Sequence, residues 1–220
     1  MVKENTGRRR ILITAGPTAE DIDPVRFLTN RSSGRMGMAV AAAALAAGSE
    51  PFLILGPTPL NPPEGVPCLR VRSAADMLVA VEERLAVTDA LVMTAAVADY
   101  TPVEPLPLKL KKSEGDLTLR LKRTPDILLS VGCHPQRPRL LVIGFSLDVE
   151  LDLVQGRRKL VEKNLDAIVV NSVASFAADH ISAVVLTADG GSQDYGRIGK
   201  DDLARRLVEL IQNAPRKGTP

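Results

Sequence analysis

The sequence predicts an α/β fold: a doubly wound, mainly parallel sheet with an inserted β-hairpin. Short apolar runs of strand length alternate with segments of helical periodicity, and one later segment switches to strict two-residue alternation. Most of the apolar runs have no polar face, as strands covered by helices on both sides require.

The first run, ILITAG at 11–16, is partly β-branched and ends in glycine. A polar loop leads to an alanine-rich helix over about residues 34–47, closed by Gly48. PFLILG at 51–56 and VPCLRV at 66–71 follow as strands. Residues 73–85 carry apolar side chains at helical spacing behind the capping residue Ser73, and DALVMTAA at 89–96 is again a buried strand. Strands at 140–145, 166–171 and 183–188 then alternate with helices near 149–164 and 199–212. Residues 1–9 and 214–220 are expected to be disordered tails around a single domain spanning 10–213.

The segment that departs from this pattern is PLKLKKSEGDLTLRLKR at 107–123. Leu108 and Leu110 alternate with Lys109 and Lys111, and Leu117, Leu119 and Leu121 alternate with Thr118, Arg120 and Lys122. Ser113 to Asp116 supplies a turn, so a hairpin is expected within about 104–124, with one cationic and one leucine face. The cations either form a solvated face or gather over an anion, where their mutual repulsion is relieved as a lid closes on phosphates.

Composition excludes several classes of function. The 220 residues, 45% of them hydrophobic, suffice for one core. A net charge of +2 and an aromatic share of 3% argue against nucleic-acid and membrane partners. Cys68 and Cys133 have no metal spacing and form no disulfide framework, which fits a reducing, cytoplasmic setting, and no signal peptide is visible. No window reaches the ~18 apolar residues of a membrane span. With only His134 and His180, no Ser-His-Asp system, Cys-His pair or zinc site can be assembled. The single GK pair, Gly199-Lys200, precedes Asp201 rather than Ser or Thr and so makes no Walker A motif, and GPTAED after the first strand is not GxGxxG.

Backbone amides and cations are left to do the chemistry, and NRSSGRMG at 30–37 supplies both directly before a helix. One serine would cap that helix. The second serine, Gly34, Gly37 and the flanking Arg26, Arg31 and Arg35 exceed the need and point to a phosphate cradle.

ILITAGPTAEDIDPVRFLTNRSSGRMG, AAVADYTP at 95–102, KLKK at 109–112, GF at 144–145 and KNLDAIVVN at 163–171 together resemble phosphopantothenoylcysteine synthetase over nearly the whole chain. The resemblance implies a Rossmann-like ligase of coenzyme A biosynthesis, here in a stand-alone form without the flavin-dependent decarboxylase domain. It would join 4′-phosphopantothenate and L-cysteine through an acyl-nucleotide, with CTP favoured over ATP, Mg²⁺ accompanying the triphosphate and no flavin. It further implies a homodimer with shared sites. By the same resemblance Asn30 and Lys109 are catalytic, while Arg26, Ser32, Gly34, Gly37 and Asn171 bind the substrate. Gly16, Thr18, Ala95, Asp99, Lys109, Lys122, Arg123, Thr124, Pro125, Phe145, Lys159 and Lys163 fall to the nucleotide, and no metal ligands are assigned. Lys159 and Lys163, four apart on one helix, would reach the same polyphosphate. The residues alone leave two other classes open, a nucleotide-dependent oxidoreductase and a catalytically silent binding module.

Overall fold

The computed structural model describes residues 7–112, 115–172 and 179–217. The chain begins with β1 (Arg10–Ala15), a small ribbon of β2 (Ala19–Asp21) and β3 (Phe27–Thr29), then α1 (Arg35–Ala46). Next come β4 (Glu50–Leu55), β5 (Cys68–Arg70), α2 (Ala74–Leu85) and β6 (Ala90–Met93). A second ribbon, β7 (Tyr100–Pro102) with β8 (Leu121–Arg123), leads to α3 (Ile127–Cys133). The remainder is β9 (Leu141–Asp148), α4 (Leu153–Glu162), β10 (Ala167–Ser172), β11 (His180–Thr187), β12 (Ser192–Gly199) and α5 (Lys200–Asn213).

Eight strands form one sheet in the order β12-β11-β10-β9-β6-β1-β4-β5. The run from β5 to β10 is parallel, and β11 and β12 close it antiparallel. Strand β1 is at the centre because it can be covered on both sides: Ile11, Ile13 and Ala15 face one layer and Leu12 the other, all fully buried. Helices α1 and α5 cover the first face and α2, α3 and α4 the second. Chain order reverses at β1 and β6, since the chain builds outward to β5 before returning to β6.

Local chemistry fixes the helix starts. Ser73 accepts from the Asp76 N–H (3.1 Å) while the Asp76 carboxylate accepts from the Ser73 N–H (2.9 Å), a reciprocal cap. The buried Glu20 carboxylate accepts from the Ala74 N–H at 2.8 Å, setting a negative charge at the positive end of α2.

The expected hairpin is displaced. Among the described residues antiparallel pairing joins Tyr100–Pro102 to Leu121–Arg123, not the two alternating arms, and residues 113–114 of the expected turn at 113–116 lie outside the described residues. The lysine arm is held elsewhere: the Leu110 N–H donates to Asp23 (3.1 Å), the Leu110 carbonyl accepts from Arg26 (2.9 Å), and the Leu106 N–H donates to the Ile22 carbonyl (2.8 Å). Both polar groups of Leu110 are thus bonded to the 22–26 loop, which docks the lysine arm against that loop. Helix α3 and strand β12 are also absent from the sequence reading, α3 because it has seven residues and β12 because SQDYGRIG is largely exposed and has no apolar alternation. The tails bind one another where they are described: Arg216 donates to the carbonyls of Gly7 (2.6 Å) and Arg8 (3.1 Å), and Lys217 pairs with Asp166. Among the described residues no helix is long and apolar enough to cross a membrane.

Asp23 gives the docked insertion an acid dependence. Burial pushes its carboxyl up, but the N–H groups of Val25, Leu110 and Arg26 and the Arg26 charge outweigh this and hold it below the ordinary 3.8. A carboxyl lowered on folding contributes fully above its unfolded value and loses that contribution as pH falls through its native one. The stability difference between wild type and Asp23→Ala, read by urea unfolding, is therefore constant above pH 3.8 and shrinks below it.

Candidate active site

The loops that leave β1 and β6 diverge at the carboxyl edge of the sheet, where the strand order reverses. A cavity of about 930 Å³ opens there, walled by residues 29–36, 93–100 and 123–128 and floored by Phe145 and Asn171 from β9 and β10. Lys163 and Lys200 complete its rim.

One wall is the start of α1. Gly34, its N-cap, has φ 81°, and a Cβ there would lie 3.2 Å from the Gly16 nitrogen, so the backbone turns in a space no side chain shares. Gly34 offers no side-chain cap, and the first turn of α1 holds no acidic residue. The hydroxyls of Ser32 and Ser33 accept only long bonds, from the N–H groups of Gly34 (3.3 Å) and Arg35 (3.4 Å). The helix start thus presents amides, hydroxyls and Arg35 to the cavity with little negative charge against them.

The facing wall, residues 95–99, is held from three directions. The Asn30 side-chain amide donates to the carbonyls of Ala96 (3.2 Å) and Val97 (3.0 Å), the Ala98 N–H donates to Thr18 (2.9 Å), and the Thr124 hydroxyl donates to the Ala98 carbonyl (2.5 Å). The Thr124 N–H adds a bond to the Asp99 carbonyl at 3.0 Å. These bonds fix the backbone and leave the exposed Asp99 carboxylate on the cavity wall. Beyond it, Asp126 caps α3 through the Leu129 N–H (3.1 Å) and pairs with Lys163 at 2.9 Å.

The structure brings Asn30, Ser32, Gly34, Ala95, Asp99, Arg123, Thr124, Pro125, Phe145, Lys163 and Asn171 to this one cavity. Seven of the expected residues do not line it. Arg26 is turned to Asp23 and Leu110, and Thr18 is buried beneath the 96–98 backbone. Gly16 lies under Gly34. Gly37 is a packing glycine, since a Cβ there would come within 2.3 Å of the Ala15 Cβ and 2.7 Å of the Thr94 hydroxyl. Lys109 and Lys122 are exposed outside the cavity. Lys159 donates to Ser146 at 3.0 Å, so it does not share a ligand position with Lys163, which is the C-cap of α4.

Sequence reasoning passed over Lys200 and gave Arg35 only a flanking place. Lys200 begins α5 and Arg35 begins α1, and Arg35 is paired with Asp179. Burial and repulsion from Arg35 push Lys200 below the usual lysine value, with Asp179 acting in the opposite direction. The available signal was the Gly199-Lys200 pair opening a helix, which lacks the Ser or Thr of a Walker A motif. Among the described residues no group of three or more His, Cys, Asp or Glu side chains could hold a metal ion.

The DNA/pantothenate metabolism flavoprotein C-terminal domain matches residues 6–214. The chain belongs to that family. It is 40% identical over 208 residues to the coenzyme A biosynthesis bifunctional protein CoaBC of Bacillus subtilis strain 168, covering 92% of this chain and 51% of that relative. The chain therefore spans about half the length of that protein. The crystal structure of the C-terminal domain of a CoaBC protein superposes with a TM-score of 0.79 at 38% identity, covering 93% of this chain and 94% of that one. A Cab2 variant in complex with phosphopantothenate-cysteine shares the fold, with a TM-score of 0.76 at 16% identity over 93% of this chain and 86% of its own.

The reassignment of Gly37 is testable. Gly37→Ala is expected to destabilise the chain by about 3 kcal/mol, the upper range for overpacking a tight helix-sheet contact, read by urea unfolding. Unchanged stability with weakened anion binding would return Gly37 to the cradle.

Proposed function

We propose that this chain is a phosphopantothenate–cysteine ligase that joins 4′-phosphopantothenate to L-cysteine through an acyl-nucleotide. What supports this most is that a single cavity at the strand-order reversal holds an uncapped helix start with two serines opposite the Asp99 wall and the 123–125 loop. Such a cavity can hold two anionic substrates side by side, and their reaction with each other needs no covalent intermediate on the protein. The coenzyme A pathway named for the Bacillus subtilis relative points to the same substrates.

In the first step a carboxylate oxygen of phosphopantothenate attacks the α-phosphorus of the triphosphate, and the bond to the bridging β-oxygen breaks to release pyrophosphate. In the second, the cysteine amine attacks the acyl carbon, the nucleoside monophosphate leaves, and the nitrogen loses its proton. Asn30 is fixed by its bonds to Ala96 and Val97, so it can line the acyl-nucleotide without moving and without competing as a nucleophile. Asn171, Phe145 and the loop Arg123–Pro125 bound the space left for base and pantothenate arm.

Mg²⁺ enters as part of the triphosphate and offsets its charge. Among the described residues the cavity offers two carboxylates, the exposed Asp99 and Asp126, the latter paired with Lys163, which would suit an ion held mainly by phosphate oxygens and water. CTP is the favoured nucleotide, with ATP the alternative, and the active form is a homodimer with shared sites. None of this chemistry calls for a flavin.

A pyrophosphate-release assay tests the reading. Release is expected with CTP more than with ATP, and it depends on 4′-phosphopantothenate, with product amide appearing only when cysteine is added. Release that ignores phosphopantothenate would remove the ligase assignment. Lys109 lies outside the cavity in this arrangement, so its role at the α-phosphate requires the insertion to fold over the site. If it does, Lys109→Gln lowers turnover by roughly 10²–10³ with no change in melting temperature. Retained turnover removes Lys109 from the mechanism and leaves the cavity assignment standing.

A further inference from the structure

We propose that Thr58, on the loop after β4 and outside the cavity, is a positioning residue of the reaction: its hydroxyl holds the Ser33–Gly34 peptide so that the Gly34 N–H, and not the Ser33 carbonyl, is offered to a substrate phosphoryl group. This rests on the ligase reading given above.

Strands β1 and β4 are parallel neighbours that run into the same three residues, Gly16-Pro17-Thr18 and Gly56-Pro57-Thr58. The two turns are pressed together, since the Gly56 N–H donates to the Ala15 carbonyl at 2.9 Å and a Cβ on Gly56 would lie 1.8 Å from the Pro17 oxygen. Each threonine then reaches one wall of the cavity. The Thr18 hydroxyl accepts from the Ala98 N–H (2.9 Å), and the Thr58 hydroxyl donates to the Ser33 carbonyl (2.9 Å). The direction of the second bond is fixed, because a carbonyl can only accept and the Thr58 oxygen itself accepts from the Leu60 N–H at 3.3 Å.

The two ends of a trans peptide point opposite ways. A Ser33 carbonyl turned to Thr58 therefore directs the Gly34 N–H away from Thr58, to the side where it meets the Ser32 hydroxyl at 3.3 Å and where Ser32 and Gly34 line the cavity. The next carbonyl, that of Gly34, is already tied into α1 by the Met38 N–H at 3.1 Å. The Ser33 carbonyl stands outside the helix ladder, and Thr58 is its only donor among the described residues. Glycine takes either sign of φ at little cost, so from φ 81° at Gly34 this peptide plane can rotate and bring the carbonyl round to the cavity. A carbonyl oxygen facing a phosphoryl group repels it, whereas the amide of an uncapped helix start attracts it. Thr58 opposes that rotation from beneath the wall.

The test is calorimetric binding of magnesium CTP and, separately, of 4′-phosphopantothenate to the full chain and to Thr58→Val and Thr58→Ser. Valine keeps the methyl group beside Gly34 and removes the hydroxyl, and serine does the reverse. In Thr58→Val the ligand whose phosphate occupies the helix start is expected to bind about fivefold more weakly, the factor one neutral hydrogen bond supplies, while the other changes by less than about twofold. Thr58→Ser regains the wild-type affinity, and in turnover the KM for that same ligand rises in Thr58→Val with kcat kept. The ligand that loses affinity identifies which phosphate the helix start holds. Equal affinity of all three proteins for both ligands overturns the inference. An equal loss for both ligands in Thr58→Val, or a loss that Thr58→Ser does not regain, also overturns it, since either marks a general loosening of the wall. If valine is not accommodated, Thr58→Ala takes its place, and the same contrast with Thr58→Ser is predicted. Wild type that binds both ligands and releases no pyrophosphate from any triphosphate would sink the ligase reading and leave the role of Thr58 standing, because that role is read by binding alone.

Discussion

The parallel pairing of β1 with β4 on one side and β6 on the other is the constraint from which the rest of the molecule follows. Because both neighbours run parallel to β1, the chain must cross over the sheet to reach each of them, and it does so on opposite faces. The segments leaving β1 and β6 are therefore carried apart at the carboxyl edge, and the space between them cannot be filled by either. Several contacts that shape the cavity span that gap: Asn30 to Ala96 and Val97, Thr18 to Ala98, and the bridge between Pro17 and Ala96. A substrate bound there meets backbone already fixed in place.

The two ends of the sheet divide stability from chemistry. At the amino end Asp89 accepts from the backbone and side chain of Arg10, and burial, which would raise the Asp89 carboxyl, is outweighed by those bonds and by the Arg10 charge. Asp166 accepts from the Val142 N–H at 2.7 Å and pairs with the buried Arg137 and with Lys217. Charges at this end find opposite partners. At the carboxyl end the helix α1 starts without a side-chain cap and without an acid in its first turn, and Lys200 carries a lowered affinity for its proton. Cations there also meet acids, Arg35 with Asp179 and Lys163 with Asp126, so it is the uncapped amides of the α1 start that are left for a polyanion.

The sequence was most legible where burial alone sets structure. ILITAG, PFLILG and DAIVVN are strands, and Ser73 caps its helix as its residue type suggests. It was less legible where a side chain from a distant loop intervenes. The alternation of residues 107–123 satisfies every local rule for a hairpin, but Asp23 and Arg26 hold both polar groups of Leu110, and the second arm pairs instead with Tyr100–Pro102. At the site, residues bunched along one stretch, such as Asn30, Ser32 and Gly34 or Arg123 to Pro125, were recognisable together. Gly37 looked like one of them because helix-sheet contact and close phosphate approach demand the same residue, and only the 2.3 Å approach to Ala15 separates the two roles. Lys200 was out of reach because its meaning depends on the packing of α5 against α1, which no local pattern encodes.

The central claim is that this cavity joins a carboxylate to an amine through an acyl-nucleotide, and the fate of one oxygen atom tests it most directly. Phosphopantothenate labelled with ¹⁸O in its carboxylate is turned over with cysteine and CTP, and the released nucleotide is analysed by mass. The account predicts that each nucleoside monophosphate carries one labelled oxygen, since the carboxylate oxygen that attacks the α-phosphorus stays with it when the amide forms. Unlabelled nucleotide, with the label retained in the amide or passed to inorganic phosphate, would contradict the account.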